Sequence, residues 1–180
     1  MNNPVEQLRN EYKEIGDFLL KQNEVSLLND LNKHFRKILI LSAGSYFEYR
    51  ITFILSNFAR EKSNGDIRII NFLEKQAINQ RYFSLFSWGE KDKPESPGKN
   101  ANAFFRLFGN EFGSTVEAEI KENNEIEKSI RAFLEIGHLR NILVHSNFAE
   151  YVYEQKTPEE IFTLFKTAEP FLDYLMEKLK

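Results

Sequence analysis

From Leu27 to about Arg60 the sequence holds a helical apolar pattern without a break, and this constrains the fold more than any other stretch. Leu28, Leu31, Phe35, Ile38, Leu39, Tyr46, Tyr49 and Phe53 mark one wide face. Ile40, Leu41, Ile51 and Leu55 add apolar surface elsewhere, so the middle is apolar nearly all round. Such a helix must be covered from several directions, which predicts a central helix in a bundle. Ser42-Ala43-Gly44-Ser45 lowers helix propensity there, but it offers a small-residue surface for the close approach of another helix. Gly44 is read as a packing contact.

The remaining segments supply the cover. Val5, Leu8, Tyr12, Ile15 and Leu19 predict a first helix over about 5–21, with Gln22-Asn23-Glu24 as the break. Ser63-Asn64-Gly65-Asp66 is a turn, and Ile67 to about Phe86 reads as a third helix. Residues 87–100 hold two Pro, two Gly and several charges without an apolar period, and read as a surface loop. Asn102 to Phe108 is a short helix ended by Gly109, and Ser114 with Glu117 reads as a capping box opening another. A long helix runs from Glu125 to about Ser146. Thr157-Pro158-Glu159-Glu160 starts the last, whose inward residues run from Ile161 to Leu175. Eight Gly and five Pro are too few for a many-turned β protein, so the expectation is all-α. A length of 180 residues suits a single domain over 1–180.

Composition narrows the chemistry. There is no Cys, which removes disulfides, thiolate metal sites and cysteine nucleophiles. The first residues lack the basic and apolar regions of a secretory signal. The uncharged apolar stretch Ile38–Phe47 is well short of the roughly 20 residues that span a bilayer. A cytoplasmic protein without a membrane partner is expected. The net charge of −3 argues against broad phosphate binding, so any contact with RNA needs a local site or one completed by a second copy.

The chain has three His: His34, His138 and His145. On a wheel of 100° per residue, Glu127, Arg131, His138, Asn141 and His145 form a polar stripe along the 125–146 helix. Ile126, Ile130, Phe133, Leu134, Gly137 and Val144 lie on another side, with Leu139 and Ile142 outside both groups. That helix is expected to be covered by its own bundle on one side and by something else, such as a second subunit, on the other. Arg140 falls about 140° from His145, toward apolar surface. A charge there has to snorkel, pair with a carboxylate, or face a site built partly by a partner.

Leu139-Arg140-Asn141-Ile142-Leu143-Val144-His145 resembles the R-x-x-x-x-H signature of HEPN domains, in which a polar residue commonly follows the Arg. Ala43-Gly44-Ser45-Tyr46-Phe47-Glu48 in the early helix, Lys99-Asn100 before Phe104-Phe105-Arg106-Leu107-Phe108-Gly109, and the capped final helix are similar to the small stand-alone type that includes the RiboL-PSP group. The resemblance implies a HEPN-like bundle of long antiparallel helices plus short ones, homodimeric, with both motif copies meeting at the interface. It implies a metal-independent endoribonuclease of the toxin or phage-defence kind, without a cofactor, subject to an antitoxin or other regulatory partner. RNA supplies its own nucleophile, the 2′-OH beside the scissile phosphate, so positioning carries much of the rate. In that scheme His145 moves a proton, Arg140 grips the phosphate, and Asn141 orients the imidazole or binds a phosphate oxygen. The products would be a 2′,3′-cyclic phosphate and a 5′-OH.

Some relatives carry a Tyr two residues after the His, which a partner enzyme modifies; here that position is Asn147. Some also use a Glu, and Glu48 is the candidate by its place, with an ordinary salt bridge as its plain reading. His138 is expected to line the groove or the interface. Two other readings stay open: a non-catalytic HEPN-like dimerisation or binding module, and a metal-binding bundle built on the E-x-x-H of Glu135 and His138, which lacks a second such motif.

Overall fold

A computed structural model describes residues 3–79, 81–93 and 95–180. Helices α1 (Pro4–Lys21) and α2 (Val25–Lys62) form an antiparallel hairpin. Asn3 caps α1 by accepting from the Val5 amide at 3.0 Å. Asn23 takes φ +58°, a left-handed conformation that Asn tolerates, and the chain reverses there. α2 runs through the core, with Leu39, Ile40, Ala43, Phe47 and Ile51 fully enclosed.

Asn64 and Gly65 make the next reversal at φ +51° and +76°, and Asp66 caps α3 (Ile67–Leu73). The single helix expected over 67–86 is broken: a π-helical turn covers Glu74–Ile78 and α4 is Tyr82–Leu85. The cause is one of phase. On an uninterrupted helix Phe86 would point about 160° away from Ile70. Both are buried, so the chain rewinds between them through the π turn.

Helix α5 (Asn102–Arg106) ends before Gly109, which has φ +116°. α6 (Asn110–Glu122) begins at once, four residues earlier than expected, and Ser114 is an exposed mid-helix residue rather than a cap. Glu117 pairs instead with Arg106 and Lys121. Gly113 explains the early start, since a Cβ there would lie 2.6 Å from the Arg106 Cγ. α7 (Asn124–His145) is capped by the Asn123 side chain. α8 (Pro158–Ala168) opens with the expected capping box: the Glu160 amide donates to Thr157 Oγ1, and the Thr157 amide to Glu160 Oε2. Pro170 then separates off α9 (Pro170–Lys178), because a proline has no amide to continue α8.

α7 lies antiparallel on α2, with Arg140 against Gly44 and Phe148 against Lys37. Phe133 of α7 is the hub of an aromatic core, 5.4 Å from Phe47 and 4.9 Å from both Phe86 and Phe171, centroid to centroid. Each buried Phe contributes about 1.5–3 kcal/mol, so this cluster outweighs the weak local propensities of the short helices. Among the described residues there is no β-strand. The fold is all-α, as the pattern predicts.

The 87–100 segment is not the plain surface loop expected. Trp88 and Gly98 are buried at its base, and the Gly98 amide donates to the Trp88 carbonyl at 2.8 Å. Around them Ser87, 91–93, Glu95, Lys99 and Asn100 are exposed. Trp88 packs on Gly137, where a Cβ would come within 2.0 Å of the indole.

The wide face expected on α2 is only partly covered. Phe35 and Leu39 are buried, but Ile38, Tyr49 (66 %) and Phe53 (52 %) are exposed. On length and composition a window of α2 would cross a membrane; here the helix is the centre of the bundle, packed on α1, α3, α7, α8 and α9.

Gly137→Ala tests the Trp88 contact by its sign. In an open helix the change stabilises by up to about 1 kcal/mol. Here overpacking against the indole should destabilise by about 1–3 kcal/mol and lower the Tm. A Tm at or above wild type would show that the ring is not seated there.

Candidate active site

The site grows from the seam between α2 and α7. A Cβ on Gly44 would lie 2.8 Å from the Arg140 Cγ, so the missing side chain is what lets the Arg140 stem lie flat on α2. The head is then held on two sides. Arg140 NH2 donates to Glu48 Oε2 at 3.3 Å, and the guanidinium carbon stacks 4.2 Å over the Phe83 ring. Glu48 therefore has the salt-bridge role, with Arg140 as its partner. The contact is single and long beside the roughly 2.7–2.9 Å of a strong charge-assisted bond. The Arg140 side chain keeps 17 % of its surface exposed, and no other hydrogen bond from it is formed among the described residues.

Below the guanidinium, Gly44, Phe47, Tyr82, Phe83, Trp88 and Asn141 enclose a void of about 10 Å³, room for one water at most. Nothing of substrate size fits inside the seam. Burial pushes the Tyr82 hydroxyl up, the Glu48 carboxylate adds to the rise, and Arg140 opposes it. Tyr82 is a neutral wall.

Asn141 is half-buried at the rim of this void, and His145 is exposed at the C-terminal end of α7. The helix end is tied by Ser146, whose hydroxyl donates to the Ile142 carbonyl at 2.7 Å. Arg140, Asn141 and Glu48 are thus brought together, and His145 stands about one and a half turns beyond Arg140 on the same helix.

His138 is not part of this group. Although it shares the wheel position of His145, it is buried, and its Nε2 donates to the Glu95 carbonyl at 3.1 Å. The 87–100 segment covers the polar stripe at that level, so His138 anchors the loop instead of lining an open groove. Glu135 is bound by Lys156 at 3.0 Å. Among the described residues no three His, Asp or Glu side chains converge. The E-x-x-H is a pair of unrelated tethers.

Two exposed apolar residues lie beside the motif, Val144 on α7 and Phe83. Ile38, Tyr49 and Phe53 are exposed too, but about 120–180° round α2 from Gly44. Val144, expected inward, is half-exposed, while Leu139 and Leu143 take the inward positions. Sequence reasoning missed three residues near the motif: Phe83 under the guanidinium, Trp88 against α7, and Lys37 of α2, buried beside the turn after His145. A cation inside the apolar run of α2 was the one available hint of Lys37.

Beyond His145 the chain crosses back toward α8. Asn147 accepts from the Glu150 and Tyr151 amides, and Arg36 NH1 donates to the Tyr153 carbonyl at 3.3 Å. Tyr153 is buried, and among the described residues its hydroxyl has no hydrogen-bond partner. Burial, then the nearby Glu135, pushes that hydroxyl from an ordinary value near 10 up to about 12. The unfolded chain ionises first as pH rises, so this contribution is intact below about pH 10 and is lost between there and about pH 12. Tyr153→Phe should hold or raise stability at pH 7, by up to about 1 kcal/mol, and lose less than wild type at pH 11. Urea midpoints at the two pH values check this; equal losses in both proteins would sink it.

The RiboL-PSP-HEPN family model matches residues 6–180. No curated protein and no solved structure matches the chain. A match over nearly the whole chain, on an all-α bundle that carries Arg140, Asn141 and His145 together at one end of α7, decides the assignment. The chain belongs to the RiboL-PSP-HEPN family.

Proposed function

We propose that the protein is a metal-independent endoribonuclease of the toxin or phage-defence kind, acting in the cytoplasm as a homodimer. The observation that carries this reading is the placement of Arg140. Its stem is laid on Gly44 and its head held by Glu48 and Phe83, on the helix that ends about one and a half turns later at an exposed His145. An arginine fixed in this way is pre-organised for a phosphate, because little side-chain freedom is left to lose on binding.

In this scheme RNA enters above the seam with a phosphate against Arg140. His145 takes the 2′-OH proton or protonates the leaving 5′-oxygen, Arg140 meets the charge growing on the phosphate oxygens, and Asn141 orients the imidazole. One His cannot perform both proton transfers in one step. A second copy docked over the exposed Val144 and Phe83 would supply the other His145 and cover these residues. Pairing through a local face also suits a chain of net charge −3.

A second reading is favoured by the Glu48–Arg140 pair itself: a non-catalytic helical module in which that pair serves structure alone. Cleavage in EDTA separates the two. The protein is incubated with total RNA or tRNA beside His145→Ala and Arg140→Ala, with dimerisation checked by light scattering. The expected result is cleavage to 2′,3′-cyclic phosphate ends that resists EDTA and falls by about 10²–10⁴-fold in both folded variants. RNA left intact, also with neighbouring gene products added, would favour the second reading. A requirement for a divalent ion would remove the metal-independent scheme.

A further inference from the structure

Lys37 is enclosed in α2 with 1 % of its surface exposed. An ammonium is costly to bury, and its usual compensation is a carboxylate. Among the described residues no carboxylate lies within 4 Å of it. Its Nζ donates to the Phe148 carbonyl at 2.6 Å and sits 4.5 Å from the centroid of the Phe148 ring. Both contacts are to one residue, the third beyond His145. An apolar side chain of the same length would satisfy the core at less cost, so packing alone does not account for a lysine here.

We propose that Lys37 is a positioning residue: by holding Phe148 from below it fixes the direction in which the chain leaves α7, and with it the place of His145. The role given to His145 rests on the ribonuclease reading above. The geometry is short-range. Three residues span at most about 10 Å, so an anchored Phe148 carbonyl leaves the end of α7 little room to fray. A helix end is otherwise where backbone order is lost first, and α7 ends at His145 itself. Ser146, bonded back to Ile142, and Asn147, bonded to the amides of 150 and 151, tie the segment on either side of Phe148. Lys37 is the tie to the core helix nearest His145; Arg36, the residue before it, holds the chain again further on at the Tyr153 carbonyl.

Lys37→Met tests the proposal, because a structural and a positioning lysine differ in what it does. Removing a buried charge is often neutral or stabilising, so Tm should hold or rise. His34, His138 and His145 give three imidazole Cε1–H signals, assigned by His→Gln variants. In Lys37→Met the His145 signal should move and sharpen as the helix end frees, while the His138 signal stays. Amides of 148–151 should exchange about tenfold faster or more, the loss expected of one charge-assisted hydrogen bond. With RNA, kcat should fall about tenfold and KM change less than about twofold, since misplacement of a reacting group acts on the chemical step. Lys37→Arg, which keeps a cationic donor, should recover most of kcat and the His145 signal. An unmoved His145 signal in Lys37→Met overturns the proposal, as do full activity with a moved signal or an arginine variant no better than methionine. If the wild type cleaves no RNA while the His145 signal moves as expected, the positioning role stands and the ribonuclease reading fails.

Discussion

Two absent side chains govern how this molecule is assembled. At Gly44 the missing Cβ brings the stem of Arg140 onto the backbone of α2, and at Gly137 it brings the Trp88 indole onto α7. The two contacts depend on each other. Trp88 donates its indole N–H to the Phe83 carbonyl at 2.8 Å, and the Phe83 ring carries the Arg140 guanidinium. A side chain at either glycine would lift one partner off its bed and unseat the aromatic shelf between them. The order of the site thus descends from close packing, which tolerates errors of only fractions of an ångström.

The general plan was legible in the sequence because burial repeats with the helical period. The nearly continuous apolar character of α2, the capped start of α8 and the breaks at Asn23 and at 63–66 rest on forces confined to a few residues. What escaped depends on relations between distant parts. The rewinding at Glu74–Ile78 is needed only because Ile70 and Phe86 must face one core. α6 starts early because Gly113 packs on Arg106. Pro170 was visible, but the apolar period continues across it, and the missing amide wins over the period.

The same division runs through the site. Arg140, Asn141 and His145 announce themselves by spacing, and the wheel placed Arg140 away from the polar stripe, where the structure finds it at the helix seam. Glu48 was legible as a position, but its partner was not, since 92 residues separate the two. His138 shows the limit of helical geometry: it shares a direction with His145, yet a loop that no wheel contains lies over it. Lys37 and Phe83 act through a carbonyl and a ring face, contacts any cation or aromatic can make, so beyond the oddity of a cation in the apolar run of α2 nothing nearby marks them.

Trp88 is the chain's single tryptophan, enclosed between a glycine of the motif helix and rings of the core. Its neighbours include the residue whose ring carries Arg140. The protein therefore has its one indole in the layer directly beneath the Arg140 guanidinium, shielded from water. Light emitted from that place reports on the floor of the site without touching what sits above it, an optical gauge already installed at the point where the two governing helices meet.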